Sequence, residues 1–159
     1  MSKDLKKNQL MLKRLQKLEK NLRELQRAKV EVGILNGHQT YEDGTTVLEV
    51  AYNHEYGQTV PQRSFLNLTM DRHKADGSIN KLASVVFEQV ALKDKNPKAE
   101  LNKAGVVLVS WVKATIDRKG YGEWPALNYW TEIEKERKNS PLVDTQLLYD
   151  SIDYRILGI

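Results

Sequence analysis

The chain contains no cysteine. That excludes a disulfide framework and any thiolate metal site. It also lacks a run of about 18 apolar residues, so no membrane span is expected. The opening segment MSKDLKKNQLMLKRLQKLEKNLREL is charged throughout and offers no apolar centre for a secretory signal. Phosphate-binding and nucleophile-elbow phrases are absent: there is no GxxxxGK[ST], no GxGxxG and no GxSxG. His54-Glu55 begins like a zincin motif, but position 58 is Gln where a second histidine is required. His38, His54 and His73 are far apart in sequence. Asp144, Asp150 and Asp153 lack the loop spacing of an EF-hand. No catalytic residue, cofactor or metal ligand is therefore expected, and the chain reads as a non-enzyme.

What the chain does have is an uneven distribution of charge. Residues 1–30 carry ten Lys/Arg and three Asp/Glu, a net of +7, while residues 31–159 carry a net of −3. The basic balance thus belongs to an arm, and the remainder is mildly acidic. A uniformly basic nucleic-acid-binding domain is not partitioned this way.

The arm reads as one amphipathic helix over roughly residues 3–28. Met11, Leu15, Leu18, Leu22 and Leu25 alternate steps of four and three, a heptad seam. So short a seam gains its stability from packing, so Leu15, Leu18, Leu22 and Leu25 are candidate contacts with a neighbour or with the chain's own body. KVEVGIL, with Val30, Val32 and Ile34 at spacing two, predicts a half-buried strand. NGHQTYEDG is a loop. Helical spacing resumes from Thr45, with Thr45 or Thr46 as N-cap and Gly57 as the stop. QTVPQR is an extended linker.

Ser64 is placed to cap a further helix, with Phe65, Leu66, Leu68 and Thr69 facing inward. The sequence leaves two readings open: this helix either runs on through Asp76-Gly77 or breaks there, before a segment with Ile79, Leu82, Val86 and Val90 on one face. Residues 98–118, apolar on nearly every side around VVLVSWV, are expected to be the central helix. A loop with Gly120 and Gly122, a short helix in NYWTEIEKERKN, a helix in PLVDTQLLYDSI and a closing strand in DYRILGI complete the chain. That strand is expected to pair with residues 30–35. The fold class is α+β: a small, mainly antiparallel sheet with several helices and a protruding N-terminal helix. The domain reading is an arm over 1–28 and one body over 29–159.

The aromatic residues Tyr52, Tyr56, Phe65, Trp124, Tyr129 and Trp130 lie near loops and helix ends, where interfaces use such side chains. Arg63 beside Pro61 is a similar anchor. Each of these also fits the plainer role of closing a small core.

Two groups of phrases resemble one family. VEVGIL, the loop ending YEDGTTV, and AYNHEYGQTVPQRSFL resemble the N-terminal half of tailed-phage virion morphogenesis proteins, also described as tail-completion or neck proteins. WPALNYWTEIEKERKNSPLVDTQLLYDSIDYRI resembles the ending of the same family, in the same order and spacing. The phrases cover residues 30–69 and 124–156, about half the chain. One departure is clear: Gln146 stands where the family phrase has glycine. A glycine-type conformation would strain Gln, so the local turn is expected to be helical here.

The resemblance implies a structural subunit of a ring, commonly a hexamer, at the head–tail junction of the virion, assembled in the host cytoplasm. Its partners would be further copies of itself, the tail tube and the head-side connector, with DNA only passing through and no membrane. It leaves open whether the subunit is a tail terminator, stopper or collar. Tyr56, Gly57, Pro61, Arg63 and Phe65 are the family-matched segment expected to face a neighbour, and Trp124 is a second contact. The competing readings are a nucleic-acid-binding regulator that uses the basic helix, and an enzyme such as a muramidase or peptidase carried with the tail.

Overall fold

The computed structural model describes residues 3–35, 37–126 and 146–159. The elements run α1 (Lys3–Arg27), β1 (Lys29–Ile34), α2 (Val47–Tyr56), α3 (Leu66–Ala75), α4 (Ser78–Ala91), α5 (Pro97–Asp117), a 3-10 turn (Lys119–Gly122), α6 (Leu147–Asp150) and β2 (Ile152–Leu157). β1 and β2 form a two-stranded antiparallel sheet, the pairing expected from the sequence. The result is an α+β fold with a long N-terminal helix.

Two compact units divide the chain. The first comprises Met1–Glu31, Ile79–Gly105 and Arg155–Ile159. Its core is Val86, Leu101 and Ala104, against which Leu25, Ala28, Val30, Leu82 and Ile156 pack. Helix α1 shares this unit with α4 and the first half of α5, whereas the sequence reading placed a boundary at residue 28. Its C-terminal half is held there: Asn21 is buried, Leu25 meets the core, and Lys17 pairs with Asp94 at 2.7 Å. Its N-terminal half is not, since Leu5, Leu10, Met11, Leu12 and Leu15 are each more than half exposed. Arg155 and Glu31 form an ion pair at 2.8 Å across the strands.

The second unit comprises Val32–Ser78 and Val106–Tyr154. Val47, Ala51, Phe65, Val112, Ile116, Leu148 and Ile152 form its core, with Val32, Ile34, Met70, Val109 and Trp124 around them. At about 25 cal/mol per Å² of apolar surface, fully burying each large side chain here is worth roughly 1.5–3 kcal/mol.

Two expectations are corrected. Helix α5 is not a spine buried on nearly every side. It begins with Asn96 accepting the Ala99 N–H at 3.0 Å and Pro97 in the first turn. It then gives Leu101 and Ala104 to the first core and Val112, Thr115 and Ile116 to the second unit. Val106, where the division falls, is well exposed. An apolar run long enough for one buried helix serves two smaller cores instead.

The second correction concerns Gln146, which adopts φ 62° and ψ −8°, the left-handed region, instead of continuing a helix. Only the single turn of α6 follows it, and residues 141–145 lie outside the described residues, as does the helix expected in 128–139. Of the two readings left open at Asp76-Gly77, the structure takes the break: Gly77 has φ 78° and Asp76 Oδ1 accepts the Ser78 N–H at 2.8 Å.

Candidate interaction surface

Helix α2 organises the surface. Thr46 and Glu49 form a capping box at its start: the Thr46 hydroxyl accepts the Glu49 N–H at 3.2 Å, and the Glu49 carboxylate accepts the Thr46 N–H at 2.8 Å. Just before it, the Asp43 carboxylate accepts the Thr45 N–H at 2.9 Å. These backbone donors hold the carboxyls of Asp43 and Glu49 below their ordinary range, so both are ionised at neutral pH. Gly57 ends the helix in the left-handed conformation, φ 67°, with its N–H on the Asn53 carbonyl. A side chain there would run into Gln62.

The helix has two opposed characters at the same spacing. Val47, Ala51 and Glu55 are buried. Leu48, Tyr52 and Tyr56, one position on, are each more than half exposed. A period of 3.6 puts residues four apart on one stripe, so this is one face turned inward and one turned outward. The outer rings of Tyr52 and Tyr56 lean on each other with centroids 4.8 Å apart. Alongside them opens a groove of about 800 Å³ lined by Asp43, Leu48, Glu49 and Tyr52, among others.

Glu55 is a buried charged residue on the inner face, and its partners explain why it is tolerated. Its two oxygens accept from Ser64 Oγ (2.7 Å) and from the backbone N–H groups of Phe65, Leu66 and Asn67 (2.8, 2.9 and 2.9 Å). Helix α3 begins at those residues, so its orphan donors are satisfied by a carboxylate from α2. Ser64, the expected cap, serves in part: its hydroxyl accepts the Leu68 N–H at 3.3 Å and hands its own hydrogen to Glu55.

The residues singled out in the sequence divide sharply. Tyr56 and Pro61 are exposed. Phe65 is 0 % exposed and sits in the core, so it cannot be a contact for a neighbour. Arg63, expected as a surface anchor, is buried at 5 %. Its backbone N–H donates to the His54 carbonyl at 2.8 Å and its Nη2 lies 3.4 Å from the carbonyls of Pro125 and Ala126. Desolvation pushes its pKa below the ordinary arginine value. Trp124 is half-buried, its ring over Gly120 and its Nε1 donating to the Ser64 carbonyl at 3.0 Å. Among the helical leucines, Leu15 is exposed, Leu18 and Leu22 are half-buried, and Leu25 is packed in the first core.

Arg63, Phe65 and Trp124 are therefore what joins the two sequence phrases to each other. Leu148 and Ile152 complete that junction by packing with Val47, Ala51 and Phe65. The outward stripe of Leu48 and Tyr56 around Tyr52 was not identified as a unit from the sequence, although its spacing is visible there. Among the described residues, no group of three or more His, Asp or Glu is placed to hold a metal ion. No described helix is long and apolar enough to cross a membrane. No protein-family model, no curated protein and no solved structure matches the chain.

Proposed function

We propose that this chain is a structural subunit of a tailed-bacteriophage neck, a tail-completion ring that joins or caps the tail at the head–tail junction. The observation that carries this reading is the meeting of the two family-like phrases. Some 60 residues apart, they close on each other through Arg63 with Pro125 and Ala126, through Trp124 with Ser64, and through Phe65 with Leu148 and Ile152. The position given to glycine by the resemblance takes the left-handed conformation that glycine favours, although Gln146 occupies it. Both facts support the phrases as parts of one structural pattern.

The surface supports an assembly role. The Leu48, Tyr52 and Tyr56 stripe and the bare N-terminal half of α1 are two exposed apolar features on one small chain, and such patches mark interaction sites. A cyclic ring uses two different patches on each subunit. The ring is expected to be a hexamer, its neighbours the tail tube and the head-side connector, and the chain to perform no turnover. Cryo-electron microscopy of intact particles of the encoding phage tests this. A closed ring of this chain at the head–tail junction is expected, and its absence from the particle would overturn the reading.

The basic helix gives the second reading, a nucleic-acid-binding regulator. Part of its charge is already engaged, since Lys17 pairs with Asp94, Lys20 with Glu24 and Arg23 with Glu19. Duplex binding that falls steeply with salt would favour that alternative.

A further inference from the structure

We propose that the N-terminal turns of α1 in one copy of this chain dock, head to tail, into the acidic groove beside α2 of a second copy. The inference rests on the self-assembly in the reading above, and not on a place in a virion.

The two surfaces match in length, in apolar content and in charge. On α1, Leu5, Met11, Leu12 and Leu15 are exposed and fall on one broad arc of the helix, with Lys7 and Arg14 at its edge. From Leu5 to Leu15 the stripe spans about 15 Å at 1.5 Å per residue. On α2, Leu48 to Tyr56 spans about 12 Å at the same rise. The arm's apolar arc thus has a floor of similar length to lie on.

Charge selects the occupant. Residues 3–16 of the arm carry five cations and one acid. The groove has two exposed acids in its lining, Asp43 and Glu49. Backbone hydrogen bonds keep the carboxyls of Asp43 and Glu49 ionised. A basic leucine-striped helix against an acidic, Leu/Tyr-lined groove is complementary in both terms, and a second copy supplies that helix. Because the donor and acceptor patches differ, the contact is heterologous. Such a contact closes into a ring or continues as a filament.

The test uses full-length chains in sedimentation equilibrium, with circular dichroism to verify folding. The wild type is expected to self-associate, more weakly as salt rises. An arm variant, Leu12→Glu with Leu15→Glu, and a groove variant, Leu48→Lys with Tyr52→Lys, should each raise the dissociation constant at least about tenfold. Mixed in equal amounts, they retain one intact arm and one intact groove, and should form a heterodimer that grows no further.

A wild type that stays monomeric at the highest reachable concentration would overturn the proposal. So would a mixture that forms no heterodimer, or either variant associating like the wild type. Should a variant unfold, Arg14→Glu and Asp43→Lys give the same logic by charge alone: weaker singly, restored when mixed. A ring at the head–tail junction without this contact would overturn the inference and leave the neck reading intact. Arm-in-groove association by a chain absent from the virion would do the reverse.

Discussion

The hydroxyls of Thr69 and Thr115 lie 2.6 Å apart, both residues fully buried. They have two hydrogens for three contacts, because Thr69 Oγ1 is also 2.6 Å from the Phe65 carbonyl and Thr115 Oγ1 is 3.1 Å from that of Trp111. The distances assign the hydrogens: Thr69 donates to Phe65, and Thr115 donates to Thr69. The Trp111 contact, the longest, is the one left over. Thr115→Val then removes a donor that Thr69 accepts from while Thr69 keeps its own acceptor, at a cost of about 1 kcal/mol. Replacing both by valine removes the polar pair together and should cost less than the sum of the single changes. Urea denaturation of the four chains measures the cycle, and strict additivity would count against this assignment.

Glu55 is predicted to be the most sensitive polar residue of the second unit. Glu55→Gln offers one acceptor oxygen where the carboxylate serves four donors, and turns an N–H₂ toward the backbone N–H groups of α3. The loss should be about 2–4 kcal/mol, since buried donors are left unmade and the charge at the helix N-terminus is removed. Denaturant midpoints measure it. A Gln variant within 0.5 kcal/mol of wild type, roughly the scatter of a surface change, would mean the cap is not used.

Gln146→Gly is predicted to stabilise the chain. At φ 62° a residue with a Cβ bears strain that glycine does not, worth about 1–2 kcal/mol. Part of this is returned through the greater freedom of glycine in the unfolded chain, which leaves a net gain of about 0.5–1 kcal/mol. A rise in Tm is the expected readout, and a fall would show that a contact of the Gln146 side chain outweighs the strain.

Stability should also respond to His73. Its ring stacks on Trp111 with centroids 3.9 Å apart, and desolvation lowers its pKa, opposed by Asp76 and aided by Arg72. The folded state therefore binds this proton less readily than the unfolded chain, whose value is near 6.5. The contribution is fully present above pH 6.5 and is lost as pH falls below it toward the lowered folded value. His73→Phe keeps a ring on Trp111 and should flatten stability against pH just below 6.5. The carboxyls of Asp43, Glu49 and Asp76 act the same way at lower pH, because their pKa values are also depressed. A variant whose slope below pH 6.5 matches the wild type would remove His73 from the account.

Local signals made much of this legible. Helix α2 could be bounded from the sequence to within one residue at its start, Thr45 or Thr46, and at Gly57 at its stop, because caps act on their nearest neighbours. Strand β2 was legible from alternation, and Asp76-Gly77 marked the place of the α3–α4 break without deciding between a break and a continuous helix. What failed depended on distant partners. Ser64 was the nearest cap for α3, but the carboxylate that does most of that work arrives from α2, nine residues back. Arg63 stands in an extended, proline-containing segment that resembles a surface anchor, and Phe65 reads from the sequence both as facing inward from α3 and as facing a neighbour. The arrival of Trp124, Pro125, Leu148 and Ile152 buries Arg63 and decides Phe65 for the core. No periodicity records that α5 serves two cores.

The same contrast separates stability from assembly. Phe65→Ala empties a fully enclosed site among Val47, Val112, Ile116 and Leu148, and should cost about 3–5 kcal/mol, enough to unfold a marginal domain. Tyr52→Ala and Tyr56→Ala remove rings that are more than half exposed, and alanine suits a helix, so the folded chain should lose no more than about 0.5 kcal/mol. If the outer stripe of α2 is a working surface, the two tyrosine variants will purify as stable chains yet fail to complement particles lacking this subunit. Thermal melts and complementation of infectious-particle yield make the comparison. Full complementation by the double tyrosine variant would show that the stripe is ordinary surface. Failure alongside an unchanged melt would place Tyr52 and Tyr56 at a contact.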